Sequence, residues 1–223
     1  MKLFRNKFDA ALTLIFLAAS CVLYYFILTA GGTLLVATSY AAIVLCFLYA
    51  ASRWGNKFLI AGLACTVGAD FFLVVCDPIQ QFWGMVFFLG AQSLYAAVLH
   101  ISHPGKVLLF IRLGLIAVAE AITVAILKDS TDPLAVISIC YYVNLIFNII
   151  LAFLQFKSYP ALSIGLVLFL LCDTVIGLQV MSGGYLPIPE GSLLHNIIYA
   201  PFNLAWLFYL PSQVLISLSS RRK

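Results

Sequence analysis

The sequence predicts an all-α integral membrane protein: a single bundle of eight transmembrane helices with both termini in the cytoplasm. Three observations lead there. The 223 residues are 64% hydrophobic and only 9% charged, with a mean hydropathy of +1.11. Apolar stretches fill nearly the whole chain, and about 20 residues rising ~1.5 Å each cross a hydrocarbon core of roughly 30 Å. Basic residues segregate to one side of the membrane when the chain is threaded eight times.

The spans are read at 10–28, 34–51, 58–75, 82–99, 107–127, 134–156, 161–180 and 199–218. Lys2, Arg5 and Lys7 ahead of the first span imitate a signal peptide, and Ala18-Ala19-Ser20-Cys21 loosely resembles a lipoprotein cleavage box. The apolar run continues past that box through Val22 to Leu28, too long for a cleaved segment, so an uncleaved first helix is expected. The turns after spans two, four and six carry helix-stop residues and charge, as in Arg53-Trp54-Gly55-Asn56-Lys57 and His103-Pro104-Gly105-Lys106. Those on the opposite side are acidic or neutral: Gly31-Gly32, Asp77-Pro78 and Asp129-Ser130-Thr131-Asp132-Pro133. The longest connection, 182–191, joins spans seven and eight on that outer side. No connection is long enough for a soluble domain, so residues 1–223 form one membrane domain.

Charge tests the count. With eight crossings, Lys2, Arg5, Lys7, Arg53, Lys57, Lys106, Arg112, Lys157, Arg221, Arg222 and Lys223 share one side, and only Lys128 falls on the other. Adding or removing one span would scramble this pattern. The net charge of +4 is therefore a topology signal with some attraction for anionic lipid, and it does not point to nucleic acid. The expected location is a bacterial plasma membrane. Six cysteines are scattered singly with no CxxC, which fits buried small hydrophobes rather than a metal site or disulfides. No cofactor is expected.

Three acids stand inside the spans: Asp70 is thirteenth in span three, Glu120 fourteenth in span five and Asp173 thirteenth in span seven. All three spans run outward, so the acids lie roughly 18–20 Å from the cytoplasmic boundary. An ionisable group at that depth is costly unless it faces the bundle interior with a partner, and it reads as functional by default. No Lys or Arg shares their depth, so at least one acid is expected to be protonated at neutral pH. The inward spans add polar stripes. Tyr141, Asn144, Asn148 and Gln155 share a face of span six; Asn196, Tyr199, Asn203, Trp206, Gln213 and Ser217 share one in and before span eight. Gln92 and Tyr95 sit on adjacent turns of span four. Pro201 and Pro211 leave carbonyls that need other partners. The stripes read equally as interhelical glue or as the wall of a polar cavity. Arg112 is expected to snorkel to the inner interface, and His100, His103 and His195 to serve interfacial or capping roles.

Four segments resemble the YhhN family, eight-helix membrane proteins that include the lysoplasmalogenases. Gly68-Ala69-Asp70-Phe71-Phe72-Leu73 is similar to its third-helix Gly-Asp motif with a Leu three residues on. Gly84, Phe88 and Gln92-Ser93-Leu94-Tyr95 resemble its fourth-helix Gly, Phe and His-x-x-Tyr. Gly165, Leu168-Phe169 and Cys172-Asp173 resemble its Gly-x-x-Leu-Phe-x-x-Ser-Asp, and Tyr209, Gln213 and Leu215-Ile216 its closing Tyr-x-x-x-Gln-x-Leu-Ile. This chain departs at Ala69 for Gly, Cys172 for Ser and Gln92 for His. Gln cannot shuttle a proton, and Glu120, outside the motifs, is a candidate replacement for the missing titratable group.

The resemblance implies hydrolysis of the vinyl-ether bond of a lysophospholipid, with Asp70, Asp173 and Glu120 as catalytic candidates. Gln92, Tyr95, Asn144, Asn148, Asn203 and Gln213 are then the cavity candidates, and no metal is needed. A protonated carboxyl beside an ionised one suits that chemistry. The same acids would also serve a proton-coupled transporter of lipid or small molecules, and a non-catalytic lipid-binding bundle is the third reading.

Overall fold

The computed structural model describes residues 7–102, 106–128, 132–182 and 188–220. Among them every element is helical. In order these are α1 (Lys7–Thr29), α2 (Gly32–Ser52), α3 (Lys57–Asp70) with a π turn at Phe71–Val75, α4 (Gln81–Ser102) and α5 (Lys106–Leu127). Then come α6 (Pro133–Leu154), α7 (Pro160–Ser182), the short α8 (Leu193–Ile198) and α9 (Leu204–Ser219). Seven helices are long and apolar enough to cross a membrane, α3 counting with its π turn as Lys57–Val75. The chain is an integral, multi-pass membrane protein by this measure.

Local chemistry sets the helix starts. Asn56 caps α3 by accepting from the Phe58 and Leu59 amides. Asp132 caps α6 through the Ala135 amide, with Pro133 opening the helix where no N–H is required. The last span departs from its predicted 199–218. α9 starts only at Leu204, and its 16 residues reach about 24 Å. Pro201 is the cause: it lacks an N–H and biases Ala200 away from helical geometry. The helix restarts where Asn203 accepts from the Trp206 amide.

The ends of the helices lock to one another. Arg53 pairs with Asp9 at 2.9 Å, tying the end of α2 to the start of α1. The Asn56 amide donates to the Ser220 carbonyl at 2.9 Å, and Gln155 Nε2 to the Leu99 carbonyl at 3.1 Å. Arg53, Lys57, Lys106 and Lys157 thus gather at one end, with Lys128, Asp132 and Glu190 at the other. Trp54 and Trp83 are exposed at opposite ends, as aromatic residues at the two membrane interfaces are. Lys2, Arg5, His103, Arg221, Arg222, Lys223 and much of both longer outer connections lie outside the described residues.

Two apolar cores form. The larger joins α3, α4, α6, α7 and α9 around Leu63, Phe88, Leu145, Leu166 and Phe169. The smaller joins α1 and α2 to α9 around Phe16, Cys46, Tyr49 and Leu210. α7 and α9 make the most extensive helix pair, and they approach across Gly165. A Cβ there would stand 2.9 Å from Ile216 Cγ1 and 3.1 Å from the Ser212 carbonyl oxygen. α5 contributes no buried residue to either core and packs chiefly on α6. Pro211 inside α9 cannot bond the Leu207 carbonyl four residues back. Tyr24 of α1 donates its hydroxyl to that oxygen at 2.9 Å, so a neighbouring helix satisfies the freed group.

Candidate active site

Asp70 and Asp173 each stand thirteen residues beyond the first residue of their helices, Lys57 and Pro160. Asp70 is the final α-helical residue of α3, and the wider π turn begins immediately after it. Such turns recur at functional sites because they re-aim the side chains beside them. Asp70 is 2% exposed and accepts a hydrogen bond from the Tyr209 hydroxyl of α9 at 2.7 Å. Asp173 accepts one from the Tyr141 hydroxyl of α6. No Lys or Arg contacts either carboxylate among the described residues.

The two Asp–Tyr pairs share one aromatic wall. Phe88 and Phe169 lie 5.5 Å apart between them. Phe169 is 5.4 Å from the Tyr209 ring and 6.5 Å from that of Tyr141; Phe88 is 6.3 Å and 5.9 Å from the same rings. Cys172, next to Asp173 on α7, is 3% exposed. The arrangement is two carboxylates, each held by a phenol beside one aromatic cluster, with Asp70 buried and Asp173 partly exposed.

The other predicted residues divide. Gln213 is fully buried one turn from Tyr209 on α9, with neither end of its amide hydrogen-bonded. Tyr95 is fully buried but meets Thr66 at 3.5 Å, one turn back from Asp70 on α3, and packs against Gly62. Asn144 is buried and donates to the Cys140 carbonyl of its own helix. Asn203 is exposed and serves as the cap of α9 rather than facing a cavity. Asn196 and Tyr199 are also exposed, since the break at Pro201 removes them from the α9 face. Glu120 does not join the two aspartates: α5 lies outside both cores, and its carboxyl faces Cys140 across the α5–α6 seam.

Gln92 and Asn148 form a second polar centre. Asn148 Nδ2 donates to the Gln92 side-chain oxygen at 2.9 Å and to its backbone carbonyl at 2.8 Å. Asn148 Oδ1 in turn accepts from Arg112 Nη2. Arg112 is 5% exposed, with its guanidinium over the Phe147 ring at 4.8 Å. It therefore turns inward instead of snorkelling, because amide and aromatic partners stand ready on α6. Sequence reasoning left Tyr209 out of the site and placed Tyr141 only on a stripe. The signal for Tyr209 was its position one turn before Gln213, on the face of α9 that also carries Ser217.

The profile of the YhhN family matches residues 41–220. The chain belongs to the YhhN family. No curated protein matches it, and no solved structure does. The YhhN match runs from within α2 to the residue after α9, and so contains both Asp–Tyr pairs and the Arg112–Asn148–Gln92 centre. Only α1 lies wholly outside it.

Proposed function

We propose that this YhhN chain is a membrane-embedded hydrolase that cleaves the vinyl-ether bond of lysophospholipids by carboxylate acid/base chemistry. The observation that carries the reading is the pair of phenol-held aspartates on one aromatic wall, with no cation beside them among the described residues. In the reaction one aspartic acid donates its proton to the β-carbon of the vinyl ether. The ionised aspartate stabilises the resulting oxocarbenium ion and takes a proton from the water that attacks it. The hemiacetal so formed breaks its C–O bond, releasing a fatty aldehyde and the glycerophospho-headgroup alcohol. Each tyrosine keeps one carboxylate oxygen occupied and leaves the other for the reacting atoms.

Gln92 replaces the His of the family pattern, yet it bonds Asn148 and neither aspartate. Protonation by one aspartate and water activation by the other need no titratable group at position 92. The reading takes the chain to cross a bacterial plasma membrane eight times, with α9 as the last crossing and both termini in the cytoplasm. The segregation of Arg53, Lys57, Lys106 and Lys157 to one end supports that orientation. The test is purified protein with ether and ester lysolipids, scored for released aldehyde. Asp70→Asn and Asp173→Asn should each lower turnover about 10²–10⁴-fold with the fold intact. Turnover surviving both substitutions would end this assignment.

A further inference from the structure

Arg112 poses a problem that the acid/base site does not solve. It is buried in the α5–α6 seam, yet the described residues show no carboxylate beside it. α4 and α6 carry no acid at all. On α5 the only one is Glu120, eight residues outward and about 12 Å along the axis, against Cys140. A buried cation without an anion is strongly unfavourable, and a hydrogen bond to a neutral amide does not cancel its charge. Two donors are also left over at this centre: Arg112 Nε and Gln92 Nε2 are both buried with no acceptor. Both belong to side chains tied to Asn148. A net positive charge with surplus N–H groups and no surplus acceptor is the complement of an anion.

The same two helices, α4 and α6, carry an open apolar groove of about 540 Å³ nearer the other end, with Asp132 and Pro133 at its outer rim. The groove is lined by Phe82 and Leu89 of α4 and by Val136, Ile137 and Cys140 of α6. Leu89 precedes Gln92 by one turn, and Cys140 precedes Asn148 by two turns through Asn144. Arg112 itself stands six residues, about 9 Å, from the basic end of α5. Basic pockets between transmembrane helices at that end are where phosphate head groups bind.

We propose that Arg112, positioned by Asn148 and Gln92, binds the phosphate of a lysophospholipid whose hydrocarbon chain occupies the apolar groove between α4 and α6. The assignment deepens the hydrolase reading and rests on it for the identity of the lipid. Tyr141, the partner of Asp173, is seven residues from Asn148, about 10 Å along α6. A phosphate held at Arg112 therefore stands at a height about 10 Å from that of the Asp173–Tyr141 pair.

The test measures binding, not turnover. Full-length protein in a phosphate-free maltoside detergent is titrated with a saturated 1-O-alkyl-glycerophosphocholine, with the corresponding neutral 1-O-alkyl-glycerol, and with inorganic phosphate. Wild type should prefer the phosphate-bearing lipid by about 10- to 100-fold, the scale of hydrogen bonds to a charged group. Arg112→Gln should erase that preference while leaving the weak affinity for the alkyl-glycerol unchanged, and Arg112→Lys should keep part of it. Equal wild-type affinity for the two lipids would overturn the proposal without recourse to any variant. Inorganic phosphate binding as tightly as the phospholipid would assign the site to free phosphate and overturn the lipid assignment. Asp70→Asn and Asp173→Asn should retain the preference, so loss of the hydrolase reading and loss of this site are read separately.

Discussion

Asp70 and Asp173 each accept a phenolic hydrogen bond, and those bonds orient the carboxyl groups as well as linking helices. Removing a hydrogen bond to a charged group costs about 1.5–3 kcal/mol, roughly 10- to 100-fold in a rate that depends on it. Tyr209→Phe and Tyr141→Phe should therefore each lower aldehyde release by that factor, with kcat rather than KM bearing most of the loss. An unchanged kcat in both variants would reduce the tyrosines to packing groups. Glu120→Gln gives the contrast. Its side chain sits at Cys140, away from both Asp–Tyr pairs, so turnover should stay within about twofold of wild type. A large fall would bring Glu120 back into the chemistry.

Helix α9 carries its defect openly. Pro211 interrupts the ladder, and Tyr24 from α1 repairs it by donating to Leu207. Interhelical hydrogen bonds in membrane proteins contribute about 0.6–2 kcal/mol. Tyr24→Phe should lower the Tm in detergent by a corresponding few degrees. In a Pro211→Ala background the restored amide bonds Leu207 itself, so the same Tyr24 substitution should cost less; equal costs in both backgrounds would refute the pairing. The α7–α9 contact predicts a larger effect. At Gly165 a side chain would press on the Ser212 carbonyl, an atom that cannot rotate away. Gly165→Leu should then destabilise by several kcal/mol or prevent folding, whereas Gly114→Leu, with open space around it, should be tolerated.

At the scale of the molecule, the bundle is lopsided. α9 touches α1, α2, α3 and α7, while α5 leans on α6 at the edge. Between α4 and α6 an open apolar groove remains, while Asp70 is buried and bonded to α9 and Asp173 is partly exposed and bonded to α6. The charged ends support the proposed orientation. Reporter fusions after Lys128 and after Lys157 should report opposite sides of the membrane, with Lys157 cytoplasmic. The same side for both would break the eight-crossing topology.

Hydropathy and the placement of Lys and Arg lead to eight spans and one basic end, because the bilayer imposes both directly. Seven long apolar helices stand among the described residues, and the last span is shortened to Leu204–Ser219. The depth of Asp70 and Asp173 is equally legible, since helical rise converts residue number into height. Rotation and partner choice are not encoded at that level. Sequence periodicity placed Tyr141, Asn144, Asn148 and Gln155 on one face, and all four are buried. Yet one meets Asp173, one its own helix, one the Gln92 side chain and one the end of α4. Height alone grouped Glu120 with the aspartates, and only packing showed that α5 stands at the rim. Arg112 near a helix end has the local signature of a snorkelling residue, and it turned inward because Asn148 and Phe147 of another helix were there to receive it. Local chemistry sets where a side chain stands along the membrane normal; which neighbour it meets is decided by contacts between helices far apart in the chain.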